Sequence, residues 1–118
     1  MDRKITRMYT DPAGETHFED ISIPLKDAEG FFSWCDPIKA TGMMFGELHS
    51  HKFNDWHNVP RRQYVVTVEG EAEFGVSDGT KRVFKPGDVM LAEDLTGKGH
   101  TRLLKSKNSH KVVIITID

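Results

Sequence analysis

Cysteine is almost missing: Cys35 stands alone in a chain of 118 residues, which rules out an intramolecular disulfide, so burial must hold the fold together. Long apolar runs are missing too. No stretch approaches the roughly 20 residues needed to span a bilayer, and the opening MDRKITRMYTDPAGE carries no apolar leader segment. The expectation is a cytoplasmic protein without a membrane partner. Nor is there a surplus of positive charge. Lys and Arg number 16 against 18 Asp and Glu, a formal net charge of −2. Arg61-Arg62 and Lys105/Lys107 stand isolated rather than in a basic stripe, which argues against a nucleic-acid partner. No internal repeat, low-complexity tract or linker divides the chain, so it reads as a single domain over 1–118. A domain of this length buries roughly 65% of its unfolded surface, enough for one core.

What is present is a rhythm of turns. Glu69-Gly70, Asp78-Gly79, Pro86-Gly87-Asp88, Gly97-Lys98-Gly99 and Asn108-Ser109 recur at roughly the 8–12-residue spacing of an all-β sandwich or barrel. The segments between them favour strands. Gln63–Val68 is rich in β-branched and aromatic residues. Ala72, Phe74 and Val76 alternate with Glu71, Glu73 and Gly75, which puts one face in a core and one in water. Asp78-Gly79 is a hairpin turn, and Val83-Phe84 and Val89–Ala92 continue the pattern. Lys111–Ile117 is almost continuously apolar, as in a strand covered on both faces. The first forty residues are less regular. Ile21, Ile23 and Leu25 alternate across one strand, which Pro24 places at an edge. Gly30–Ile38 reads as a loop or a short helix, and Met43–His49 as a strand. The expected division is an amino-terminal part, 1–40, and a barrel core, 41–118.

Two stretches belong together: HNVPRRQYVVTVEG from His57 to Gly70, and KPGDVMLAEDLTGKGH from Lys85 to His100. Each holds a histidine at a fixed distance from a Gly-bearing turn. In this the chain resembles the cupin superfamily, whose first motif runs His-any-His, three or four residues, Glu, six residues, Gly. Counting back from Gly70, Gln63 takes the Glu position, Val59 the second histidine and His57 the first. His100 takes the histidine of the second motif, where Glu93 replaces the usual proline.

The resemblance implies a double-stranded β-helix, or jelly-roll barrel, and often a homodimer. It implies a divalent metal ion (Fe, Mn, Ni or Zn) on His57, Gln63 and His100, supporting isomerase, lyase or dioxygenase chemistry on a small polar metabolite. Glu47, His49 and Glu93 are the candidate proton acceptors, and Arg61 and Trp56 the candidate substrate contacts. The alternative is a cupin without catalysis, in which the same residues hydrogen-bond a small ligand in a metal-free pocket. A rival register uses His49-Ser50-His51 with Asp55, but counting on from Asp55 meets Arg62 where the turn glycine belongs. Arg61-Arg62 is either a solvated pair or a source of one guanidinium that clamps a carboxylate at the barrel mouth. Glu93-Asp94 is either an acid/base pair or a polar loop. His17 and His110 have no partner pattern and read as surface or structural residues.

Overall fold

The computed structural model describes residues 2–49 and 53–118. Over these the chain is all-β. Its strands are β1 (Asp2–Thr10), β2 (Thr16–Pro24), β3 (Lys26–Ala28), β4 (Phe32–Trp34), β5 (Gly42–Leu48), β6 (Phe53–His57), β7 (Gln63–Glu69), β8 (Ala72–Val76), β9 (Lys81–Phe84), β10 (Val89–Glu93), β11 (His100–Leu104) and β12 (His110–Thr116). A six-stranded sheet runs β2-β1-β10-β7-β12-β5, and a four-stranded sheet runs β6-β11-β8-β9. β1 and β10 pair in parallel, while the other ladders of both sheets are antiparallel. Hydrogen bonding therefore gives two sheets rather than one closed cylinder.

The two sheets face each other across one core. Met8 from β1 and Met90 and Ala92 from β10 pack with Ala72, Phe74 and Val76 from β8 and Phe84 from β9. Period-two alternation puts these side chains inward: Ala72, Phe74 and Val76 are buried, as their spacing predicts. Phe84 stands edge-on to Phe74, with ring centroids 5.2 Å apart, and lies 6.3 Å from Phe18.

The amino-terminal forty residues are more ordered than their pattern suggests. β1 and β2 form a hairpin of two nine-residue strands, with β2 at the sheet edge and Pro24 as its last residue, where a missing N–H costs no ladder bond. β1 has no clean alternation, and its strand state comes from pairing with β2 and β10 on either side. Gly30–Ile38 contains no helix: Phe32–Trp34 returns along Lys26–Ala28 as a small hairpin. Its turn uses positive φ at Glu29 (60°) and Gly30 (76°), the backbone that tight hairpins require. β12 lies between β7 and β5. Val112 and Thr116 are buried on its inner face, while Val113 and Ile115 on the outer face are only half-buried.

Candidate functional site

The register of β6 on β11 sets the site. His57 and His100 are direct cross-strand partners, so their side chains leave the sheet on one face, and their ring centroids lie 4.3 Å apart. Gly99 permits this approach. Its φ is +77°, and a Cβ there would sit 2.4 Å from the His57 carbonyl oxygen, a contact that would push β6 off β11.

Each imidazole is oriented by what its Nδ1 meets. His57 Nδ1 lies 2.6 Å from the Asp55 carbonyl oxygen, which can only accept, so Nδ1 carries the hydrogen. His100 Nδ1 lies 2.5 Å from Asp94 Oδ2, and a carboxylate partner again makes Nδ1 the donor. Both rings thus keep Nε2 as their second polar atom. His100 and Asp94 are buried, Asp94 completely, and Asp94 Oδ1 has no partner.

The loop that carries Asp94 is pinned on several sides. Asn58 Nδ2 donates to the carbonyls of Asp94 (3.0 Å) and Gly97 (3.3 Å). Thr16 Oγ1, fully buried, donates to the Gly99 carbonyl at 2.7 Å. Thr10 Oγ1 donates to the Thr96 carbonyl at 2.8 Å. The β1–β2 hairpin, which the sequence reading left without a role, holds the loop that aims His100.

His57 and His100 line a cavity of about 90 Å³ between the sheets, with Asn58, Pro60 and Gln63 and, across a mostly apolar wall, Phe74, Met90 and Arg102. His57, Asn58 and Pro60 are exposed and form its rim. Gln63 is buried on the opposite sheet, paired with Ala92 and Thr116. The structure therefore brings His57, Gln63 and His100 to one cavity.

The other candidate residues lie elsewhere. Glu93 points away from the cavity, as its neighbours Ala92 and Met90 point in. Arg7 Nε holds it at 2.5 Å and Arg62 at 2.6 Å. Burial alone would raise its pKa, but the hydrogen bonds from Arg7 and Arg62 outweigh that and hold the carboxyl below the usual range. Glu93 is thereby a structural counter-ion rather than a proton acceptor at the cavity. Arg62 is committed to that pair, and Arg61 is exposed and does not line the cavity. Trp56 is exposed and borders a separate surface depression with Ser77 and Lys98. Glu47, opposite Lys111, and His49, just past Leu48, are exposed at the edge strand β5 and do not line the cavity. His51 of the rival register lies outside the described residues.

Three residues of the interior were not singled out from the sequence as site residues: Asp94 as the partner of His100, Arg102 and His110. Arg102 follows His100 by two on one strand, so alternation alone places both on the same face. His110 is fully buried, with Nε2 2.9 Å from Thr67 Oγ1 and Nδ1 unpartnered. Burial, and then the nearby Arg102 charge, push its pKa down to about 4.

The donor set suits a divalent cation poorly. Among the described residues no three His, Cys, Asp or Glu side chains come together. Gln63 is neutral, Asp94 lies behind His100, and the Arg102 guanidinium lines the same cavity. Two imidazoles and a carboxamide leave a dication's charge uncompensated beside another positive charge. No family model matches the chain, and no curated protein is significantly similar to it.

Proposed function

We propose that this protein is a small cupin-type jelly-roll that binds a small polar metabolite in the cavity between its sheets, without a resident metal. The observation that carries this reading is the His57–His100 pair. Two imidazoles converge at 4.3 Å, both donating from Nδ1, so that each retains Nε2 as an acceptor for a ligand hydroxyl. Gln63 adds a carboxamide on the facing sheet, and the apolar wall of Phe74 and Met90 excludes water around the ligand. The two facing sheets, with the histidines on one and Gln63 on the other, agree with the jelly-roll form.

A second reading, a metal-dependent isomerase, lyase or dioxygenase, is favoured by one feature. A carboxylate on the far nitrogen of a histidine, as Asp94 is on His100, is the usual support of a metal-bound imidazole. The two readings separate in one experiment. Thermal melts of untagged protein with Mn, Ni or Zn should show no shift under the binding reading. Under the metal reading, an ion at 100 times its dissociation constant stabilises by about 2.7 kcal/mol. A metal-induced shift lost in His57→Ala and His100→Ala overturns the metal-free reading.

The assembly in this proposal is a homodimer through the outer face of the six-stranded sheet. Phe45 and Met43 on its edge strand are 78% and 62% exposed, and an apolar hollow on the same face is lined by Tyr64, Val66 and Ile115. Light scattering that gives a dimer for the wild type and a monomer for Phe45→Lys supports this; a monomeric wild type refutes it.

A further inference from the structure

We propose that the cavity recognises the carboxylate of a small organic acid, and that Arg102 is the residue that binds it. This rests on the reading of the cavity as a ligand site and names the class of ligand. Arg102 lines that cavity from β11, two residues beyond His100. Among the described residues it forms no ion pair and no hydrogen bond, and its Nε is buried without a partner.

The other interior groups do not neutralise it. Asp94 is engaged with His100 and does not line the cavity. Glu93, the other acid of that segment, faces outward onto Arg7 and Arg62. His110 can offer no negative charge, and Thr67 is occupied with it. The cavity wall otherwise is largely apolar, with Phe74, Met90 and Ile114 among its residues. Arg102 is half-buried, and a guanidinium Nε shut off from water with no partner carries a cost that an acceptor in the cavity removes. A planar carboxylate matches its fork with two parallel hydrogen bonds.

Size and charge narrow the class. At roughly 10–15 Å³ per water-sized site, a cavity of about 90 Å³ has room for roughly six to nine non-hydrogen atoms, the size of a three- or four-carbon acid. A single guanidinium balances a single carboxylate. A phosphate dianion would need a second cation or a cradle of backbone N–H groups, and no lysine lines the cavity. With the carboxylate on Arg102, the far end of the acid points to His57 and His100, whose Nε2 atoms accept from a hydroxyl, so a hydroxy acid fits.

The test uses lactate and its uncharged amide, lactamide, as size-matched probes, with inorganic phosphate as a third. Binding is followed by calorimetry and by the ¹⁵N resonances of the His57 and His100 rings. Lactate should move both sets of ring signals and bind at least tenfold more tightly than lactamide. That preference should vanish in Arg102→Met and in Arg102→Gln, two neutral variants whose folding is checked by thermal melt. Equal binding of lactate and lactamide, unchanged in both variants, overturns the role of Arg102 while leaving the cavity as a ligand site. If neither probe moves the ring signals, both readings fall. Phosphate binding more tightly than lactate overturns the carboxylate assignment.

Discussion

His110 should make this protein's stability fall steeply between pH 6.5 and pH 4. The imidazole is fully buried and its pKa is pushed from 6.5 down to about 4, first by burial and then by the Arg102 charge. Above pH 6.5 neither the folded nor the unfolded chain binds the proton, so the full native stability is present. Between pH 6.5 and 4 the unfolded chain takes up the proton and the folded one does not, so stability drops. Below pH 4 both are protonated and the loss levels off. A difference of about 2.5 units at about 1.36 kcal/mol each gives about 3 kcal/mol, a large share of the roughly 5–15 kcal/mol that holds a domain together.

Other groups overlap this window. Hydrogen bonds to Asp11 and then Asp78 raise the pKa of His17, so His17 adds stability as pH falls and opposes His110. Asp11, held down first by His17, and Glu15, held down first by Lys98, lose stability only at lower pH. The assay is therefore a difference. Urea unfolding of the wild type and of His110→Gln, which keeps a donor toward Thr67, is measured from pH 7.5 to pH 4. The variant's stability relative to the wild type should rise by about 3 kcal/mol across that span. A difference flat to within about 0.5 kcal/mol would refute a neutral, buried His110.

Arg102→Met should stabilise the ligand-free protein by about 1–2 kcal/mol, since it removes an unpaired charge from the interior. In a domain of this size that is about 4–8 °C in Tm, and the titration of His110 by NMR should move upward in the same variant; a lower Tm with no change at His110 contradicts the placement. Gly99→Ala should cost at least about 2 kcal/mol, combining a left-handed backbone with the clash against the His57 carbonyl. Circular dichroism melts test it, and a neutral result would mean that β6 is not held against β11 at this point. Asp94→Asn should destabilise by about 1–3 kcal/mol and change the ¹⁵N pattern of the His100 ring, because the acceptor that fixes the proton on Nδ1 is weakened. An unchanged ring pattern would show that Asp94 does not orient His100.

Strands with a period of two or a β-branched run were legible from residues alone. Gln63–Glu69, Ala72–Val76, Val89–Glu93 and His110–Thr116 lie where alternation and β-branched runs put them, because a half-buried strand needs one apolar side chain in every two. The turn glycines were legible for the same local reason. β1 was not, since Asp2–Thr10 opens on three charged residues, lacks a clean alternation, and is a strand through the two neighbours it pairs with. The β3–β4 hairpin was hidden among aromatics that remain exposed, Phe32 and Trp34 among them.

At the site, the sequence by itself brought His57, Gln63 and His100 to attention through spacing along the chain; Arg102 was missed, although parity with His100 on β11 carries the signal for it. Which acid faces inward could not be read that way. Glu93 and Asp94 are adjacent, yet one is bound outside by Arg7 and Arg62 and the other is buried against His100. Alternation fixes only that neighbouring side chains leave a strand in opposite directions. Which direction is the interior depends on where the second sheet packs, and that is decided by contacts between residues far apart in the chain.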